Sequence, residues 1–226
     1  MSVFNRASVT CSVCGQVTEG EVAGSVNADR RPDLRGAILD RRFQLVSCAS
    51  CKANLRLPPG MTYMDMGRQQ WMIAYPVDFV AQWREKESIA QDVFTRGFGL
   101  GAPAAARALG ISLVPRIAFG WPAIREKILC RALERDDVTL ELLKLLVIRT
   151  IPNPPFSDAT ELRLESADDE AVVLAWSAKA TEAILTTVRV PWSAYDAIVE
   201  DEAGWAELRA GFESAMFVDI ARLLID

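Results

Sequence analysis

Four of the five cysteines stand in two C-x-x-C pairs, Cys11-Ser12-Val13-Cys14-Gly15 and Cys48-Ala49-Ser50-Cys51-Lys52, with 33 residues between them. Two thiolates three positions apart can share one face of a tight turn. Two such turns supply the four sulfurs that a tetrahedral zinc takes, with Zn–S near ~2.3 Å. Gly15, just past the second sulfur, suits the positive φ that such a turn needs. The pattern predicts a structural zinc ion held by Cys11, Cys14, Cys48 and Cys51. The gap exceeds the roughly 15–20 residues of a compact ribbon, so a further sub-structure must lie between the two knuckles.

Rival uses of the cysteines fit less well. Disulfides need an oxidising compartment, and Met1 to Thr10 contains neither an apolar targeting core nor a cleavage signal. A dithiol redox pair wants one C-x-x-C opening a helix after a strand. Here there are two pairs, and neither opens a helical pattern. An iron–sulfur cluster also takes four thiolates, but its usual cysteine runs are spaced differently. The chain has no histidine, which removes Ser/His and Cys/His nucleophile arrangements and imidazole ligands. A catalytic zinc keeps one position open, whereas four cysteines close the shell. The fifth cysteine, Cys130, lies off its helix's apolar stripe and reads as an inert small residue.

Half of the 226 residues are apolar and 24% are charged, enough for a sizeable core. No apolar run reaches the ~18 residues of a membrane span; the strongest, Leu142 to Ile148, is interrupted by Lys144. The expectation is a cytoplasmic protein. Charge is uneven: nine Lys/Arg against six Asp/Glu in residues 1–76, eleven against nine in 77–150, and five against fifteen in 151–226.

The elements that must position the sulfurs follow from local pattern. Gln16 to Val26 reads as a strand or hairpin with Gly20 and Gly24 as breakers, and Pro32-Asp33 opens a short helix that buries Leu34 and Ile38. Phe43 to Ser47 is a strand delivering Cys48. Ala53 to Leu57 leaves the second knuckle with Leu55 and Leu57 on one face. Tyr63 to Met66 and Trp71 to Tyr75 are strands joined at Gly67-Arg68. Asp78 to Arg96 is helical, with Phe79, Val80, Trp83, Ile89, Ala90, Val93 and Phe94 at three- and four-residue steps. Gly97-Phe98-Gly99-Leu100-Gly101 lacks the context of a phosphate loop and reads as a connector. A short helix over Ala102 to Leu109 and an edge strand over Ile111 to Phe119 follow, the edge assigned because of Pro115.

Pro122 to Arg135 is a helix, and Asp136 or Asp137 caps the next. That one is apolar all round through Leu140 to Ile148, with Lys144 and Arg149 complementing its negative end. Pro152-Asn153-Pro154-Pro155 marks a boundary. Beyond it come a hairpin around Asp168-Asp169-Glu170, a third strand over Ile184 to Val190 and a helix over Ser193 to Glu200. A C-terminal helix has the stripe Phe212, Met216, Ile220 and Leu223, widened by Phe217 and Leu224. The fold expected is α+β: a zinc-ribbon-like, β-rich part with inserted helices over 1–150, then an acidic small antiparallel sheet covered by helices over 151–226.

The paired knuckles, the Pro32-Asp33-Leu34…Ile38-Leu39 helix, Phe43, Tyr63-Met64-Asp65 and Ile73-Ala74-Tyr75-Pro76 resemble the bacterial CpXC domain family. So do Arg125-Glu126-Lys127-Ile128-Leu129 and Asp136-Asp137-Val138…Glu141-Leu142-Leu143-Lys144-Leu145. The family favours proline after each first cysteine, where Ser12 and Ala49 stand here, and its Tyr-His-Asp stretch has Met64 in place of histidine. The resemblance implies a metal and a fold, and it leaves the activity open.

The function expected is a non-catalytic, zinc-stabilised module that binds a protein partner, with a homo-oligomer left open. Nucleic-acid binding rests on Arg30, Arg31, Arg35, Arg41 and Arg42 between the knuckles, but the pI near 5.0 opposes it. A carboxylate enzyme would use Asp136 and Asp137 with Glu141, but adjacent acids at a helix start are more simply caps. A thiolate redox or zinc sensor needs exposed sulfurs.

Overall fold

A computed structural model describes residues 1–225, with the side chain of Leu224 also outside the description. Packing divides the chain into two compact units, Met1–Trp121 and Pro122–Asp226.

The first unit is built on a five-stranded mixed sheet in the order β1-β2-β5-β6-β7. Its strands are β1 (Val3–Thr10), β2 (Val17–Asn27), β5 (Met61–Asp65), β6 (Gln70–Tyr75) and β7 (Val114–Phe119). A separate hairpin pairs β3 (Leu45–Ser47) with β4 (Asn54–Arg56). Strand β1 is not expected from the sequence, because Val3 to Thr10 shows no inward row. Most of it is exposed, and its pairing with β2 holds it in place. Helix α1 (Pro32–Leu39) starts at the expected proline and buries Leu34 and Ile38. Strand β7 is an edge, as Pro115 requires, and runs parallel to β6.

Helices α2 (Trp83–Phe98) and α3 (Ala104–Ser112) lie between β6 and β7. A 3₁₀ turn over Val77–Gln82 precedes α2. Of the predicted stripe only Trp83 and Ala90 are buried, while Phe79 and Ile89 are exposed. At the C-terminal end of the unit, the Trp121 indole N–H donates to Leu57 O at 2.8 Å, and its ring meets Phe43 edge-on. These contacts tie the end of the β3–β4 hairpin to the body of the unit.

The second unit holds α4 (Trp121–Ala132, entering from the first unit), α5 (Asp137–Thr150), the antiparallel sheet β8 (Thr160–Ala167), β9 (Ala171–Ala178) and β10 (Ile184–Pro191), α6 (Trp192–Glu200), α7 (Glu202–Glu213) and α8 (Arg222–Ile225). The Pro152–Pro155 stretch lies inside this unit. Leu140, Leu142, Leu143 and Val147 of α5 share one core with Leu162, Leu164, Val172, Leu174 and Trp176 of the strands beyond the prolines. Asp136 caps α5, its carboxylate accepting from Thr139 N at 2.7 Å. The C-terminal stripe does not form one helix. Phe212 ends it on α7, and Met216 to Ile220 are buried as a non-helical segment before α8.

That segment is held by buried charges. Lys144 does not complement a helix terminus; it has no exposure and bonds Glu126 at 2.6 Å and Glu141 at 2.9 Å. Lys127 pairs with Asp137 at 2.9 Å and donates to Val218 O, while Glu141 accepts from Ile220 N at 3.0 Å. Arg163 reaches Glu126 at 3.1 Å, Glu161 at 2.8 Å, and Asp219. Five carboxylates thus face three cations, and all of these groups except Asp137 are buried. Like charges in low dielectric cannot all ionise freely. Burial pushes Glu141 up to about 7 against the pull of Lys144 and Lys127. Burial also opposes the Asp219 charge, but Arg163, Lys144 and the Ala221 N–H hold its carboxyl well below the usual range.

The signs fix a pH profile. Glu141 keeps its proton in the folded unit to about 7 and loses it in the unfolded chain near the ordinary carboxylate value. Its stabilising contribution is therefore complete in mild acid and lost as pH rises towards 7. Asp219 acts oppositely: its contribution is present above the ordinary value and lost as pH falls below it. Denaturant titrations should show stability declining from pH 5 to pH 7.5, and Glu141→Gln should flatten that decline. A rising profile in the native chain would contradict the assignment.

Candidate metal centre

Each C-x-x-C pair is the tip of a hairpin. Cys11 follows β1 and Gln16 precedes β2; Cys48 follows β3 and Ala53 precedes β4. The two tips close in the same way. Cys11 N donates to Gln16 O and Gly15 N to Cys11 O, at 2.9 and 2.8 Å; Cys48 N donates to Ala53 O and Lys52 N to Cys48 O, at 2.8 and 3.1 Å. Gly15 takes φ +73° and Lys52, its structural equivalent, φ +61°. The glycine is legible in sequence. Lys52 carries no such signal, because a lysine occupies the left-handed region only when the surrounding turn enforces it.

The four Sγ atoms lie within 4.8 Å of one another. Cys11 Sγ is 3.6 Å from Cys51 Sγ, and Cys14 Sγ is 3.6 Å from Cys48 Sγ. A tetrahedron with ~2.3 Å metal–sulfur bonds has edges of about 3.8 Å, and a disulfide measures about 2.05 Å. The spacing fits four separate sulfurs around one ion, and all five cysteines of the chain are free. Cys11 and Cys48 are buried beside Leu55, Val9 and Ala53, whereas Cys14 and Cys51 are exposed. The cluster could hold a metal ion.

Local electrostatics prepare one sulfur in particular. The Cys51 N–H, with the Ser50 N–H and the Thr18 hydroxyl, pulls Cys48 down to about 6 against the effect of burial. The Ala53 N–H favours the Cys51 thiolate, but desolvation and three neighbouring sulfurs outweigh it and push that thiol up to about 12. With sulfurs this close, a thiolate at Cys48 disfavours a second one at Cys51. A bound dication removes that conflict by deprotonating its thiol ligands.

Close approach of the hairpins depends on Gly20 in β2. A Cβ there would meet Val46 Cγ2 at 2.7 Å and Leu57 Cδ1 at 3.3 Å. Sequence reading takes Gly20 for a strand breaker, yet it lies within β2, where Val46 of β3 and Leu57, just past β4, come against it. Gly20→Val should force the tips apart, costing about 1–3 kcal/mol as overpacking does and weakening metal retention. Competition with a chromophoric chelator measures this, and unchanged retention would show that the hairpins tolerate the added bulk.

Other sequence candidates are engaged elsewhere. Of the five arginines between the knuckles, Arg31 pairs with Asp33, Arg35 with Asp65 and Arg42 with Asp40, all within 2.7 Å. Asp136 is a cap, Asp137 pairs with Lys127, and Glu141 belongs to the buried network. Cys130 is buried, its thiol pushed well up by desolvation. The ionic network went unforeseen, although Lys144 inside an otherwise apolar helix was its visible trace.

No curated protein and no solved structure matches the chain. The CpXC protein family matches residues 9–144, more than half of the chain, taking in both knuckles, α4 and most of α5. The chain therefore belongs to the CpXC protein family.

Proposed function

We propose that this chain is a cytoplasmic, non-catalytic binding module whose shape depends on one zinc ion held by Cys11, Cys14, Cys48 and Cys51. The observation that carries the reading is the convergence of four sulfurs from two like hairpin tips, at spacings that suit zinc–thiolate bonds. Four protein ligands leave no open position for water or substrate, so the ion's role is to clamp two hairpins. The chain's acids near the former carboxylate candidates serve caps and ion pairs, which supports the same conclusion. We assign the CpXC-type zinc site to the unit Met1–Trp121, and a protein rather than a nucleic acid as the partner. A reducing compartment keeps the thiolates available.

Native mass spectrometry with metal analysis of untagged protein tests the reading. One zinc per chain is expected, with loss of structure on chelation. Stoichiometric iron, no metal, or two disulfides would overturn it. The exposure of Cys14 and Cys51 favours a second reading, a peroxide-sensitive zinc store. Hydrogen peroxide and two protons convert two thiolates to a disulfide and two waters, freeing the ion. Zinc released by mild peroxide would support this, and full retention would remove it.

A further inference from the structure

Strand β1 is the open edge of the five-stranded sheet and pairs only with β2 among the described strands. Natural edges are blunted by proline, lysine, bulges or a covering element. From Phe4 to Thr10 the register with β2 is regular, and the stretch carries no proline and no lysine. Its single irregularity falls between Val3 and Phe4. Val3, Phe4, Asn5, Arg6, Ser8 and Thr10 are all exposed. Such an edge is a template for another strand.

Its charges select the partner. Arg6 stands opposite Glu21 and Ser8 opposite Glu19, so all four side chains share one face of the sheet. Ser8 Oγ donates to Glu19 at 2.6 Å. Arg6, Glu19 and Glu21 form no ion pair among the described residues.

We infer that β1 pairs with β1 of a second copy of this chain, antiparallel and centred on Ala7, to join two five-stranded sheets edge to edge. A two-fold axis through an antiparallel pair makes one residue face its own copy. The midpoint of the regular stretch Phe4–Thr10 is Ala7, which is small and uncharged. Centring on Arg6 instead would set two guanidinium groups against each other. About Ala7, Phe4 faces Thr10 of the second copy, an aromatic against a β-branched residue, the kind of pair that stabilises neighbouring strands. Arg6 faces Ser8 of the second copy, which places it between its own Glu21 and the second copy's Glu19. The symmetry repeats this twice, completing two charge rows that one copy leaves open.

The inference is independent of the metal reading, since metal content is measured separately on every sample. Sedimentation of the full chain should show a reversible dimer. Arg6→Glu should weaken it by at least about tenfold, because that change sets three carboxylates in one row, and Glu19→Arg in the same chain should restore it. Ala7→Cys should cross-link to itself under mild oxidation, whereas Asn5→Cys, facing Val9, should not. A chain that stays monomeric at every concentration overturns the inference. So does a dimer indifferent to Arg6→Glu, or self-cross-linking at position 5 rather than 7.

Discussion

Lys144→Met should be among the most destabilising single changes available in the second unit, costing about 3–5 kcal/mol in denaturant unfolding near neutral pH, as removal of one partner from a buried ion pair does. The ammonium has no exposure and bonds Glu126 and Glu141, neither of which is exposed either. Methionine fills a similar volume, so the loss is of charge compensation rather than packing. Glu126 would retain Arg163 and the Leu164 N–H, at 3.1 and 2.6 Å, but Glu141 would keep only Lys127 at 3.5 Å and the Ile220 N–H. The segment Met216 to Ile220 should therefore loosen first, since Glu141, Lys127 and Arg163 hold its backbone and Asp219. Adding Glu141→Gln to Lys144→Met takes away the carboxyl left without its ammonium partner and should recover a large part of the loss. A cost below about 1 kcal/mol, in the range of solvated pairs, would show that water reaches the cluster.

The second large effect concerns the metal. Cys48→Ser should abolish stoichiometric metal binding and unravel both hairpin tips. Apparent zinc-binding energies in small zinc domains reach about 10–16 kcal/mol near neutral pH, so a three-ligand site should not retain the ion through purification. Cys48 has no exposure and packs with Cys11 and Leu55, which makes serine there a buried polar group as well as a poor ligand. Cys51→Ser, at an exposed sulfur, should lose the ion equally but disturb the metal-free hairpins less. Hydrogen exchange should show the two tips opening while β5 and β6 stay protected, because Met61, Tyr63, Trp71 and Met72 are buried independently of the sulfurs. Equal zinc content in Cys48→Ser and the native chain would remove the four-sulfur site.

The outcomes for the two halves of the chain differ for a physical reason. Local pattern was sufficient for the knuckles, for α1 with its Pro32 start, for the edge position of β7 and for the Asp136 cap, because each is set by residues within a few positions of one another. The sequence by itself also determined which side chains meet in the cluster, four cysteines in C-x-x-C pairs in a chain without histidine. Tertiary structure alone decided the rest. It turned each knuckle into a hairpin tip, put Lys52 in the left-handed region and made Gly20 the point of close approach. It made a strand of Val3 to Thr10, which has no inward row and is held through its pairing with β2. It also buried Lys144 among carboxylates, where helical position alone suggested a charge complementing the helix's negative end. A lysine can sit there because Glu126 comes from α4, Glu141 from α5 and the compensating Arg163 from β8. The free energy of a buried charge depends on partners distant along the chain, and no reading of one helix at a time supplies them.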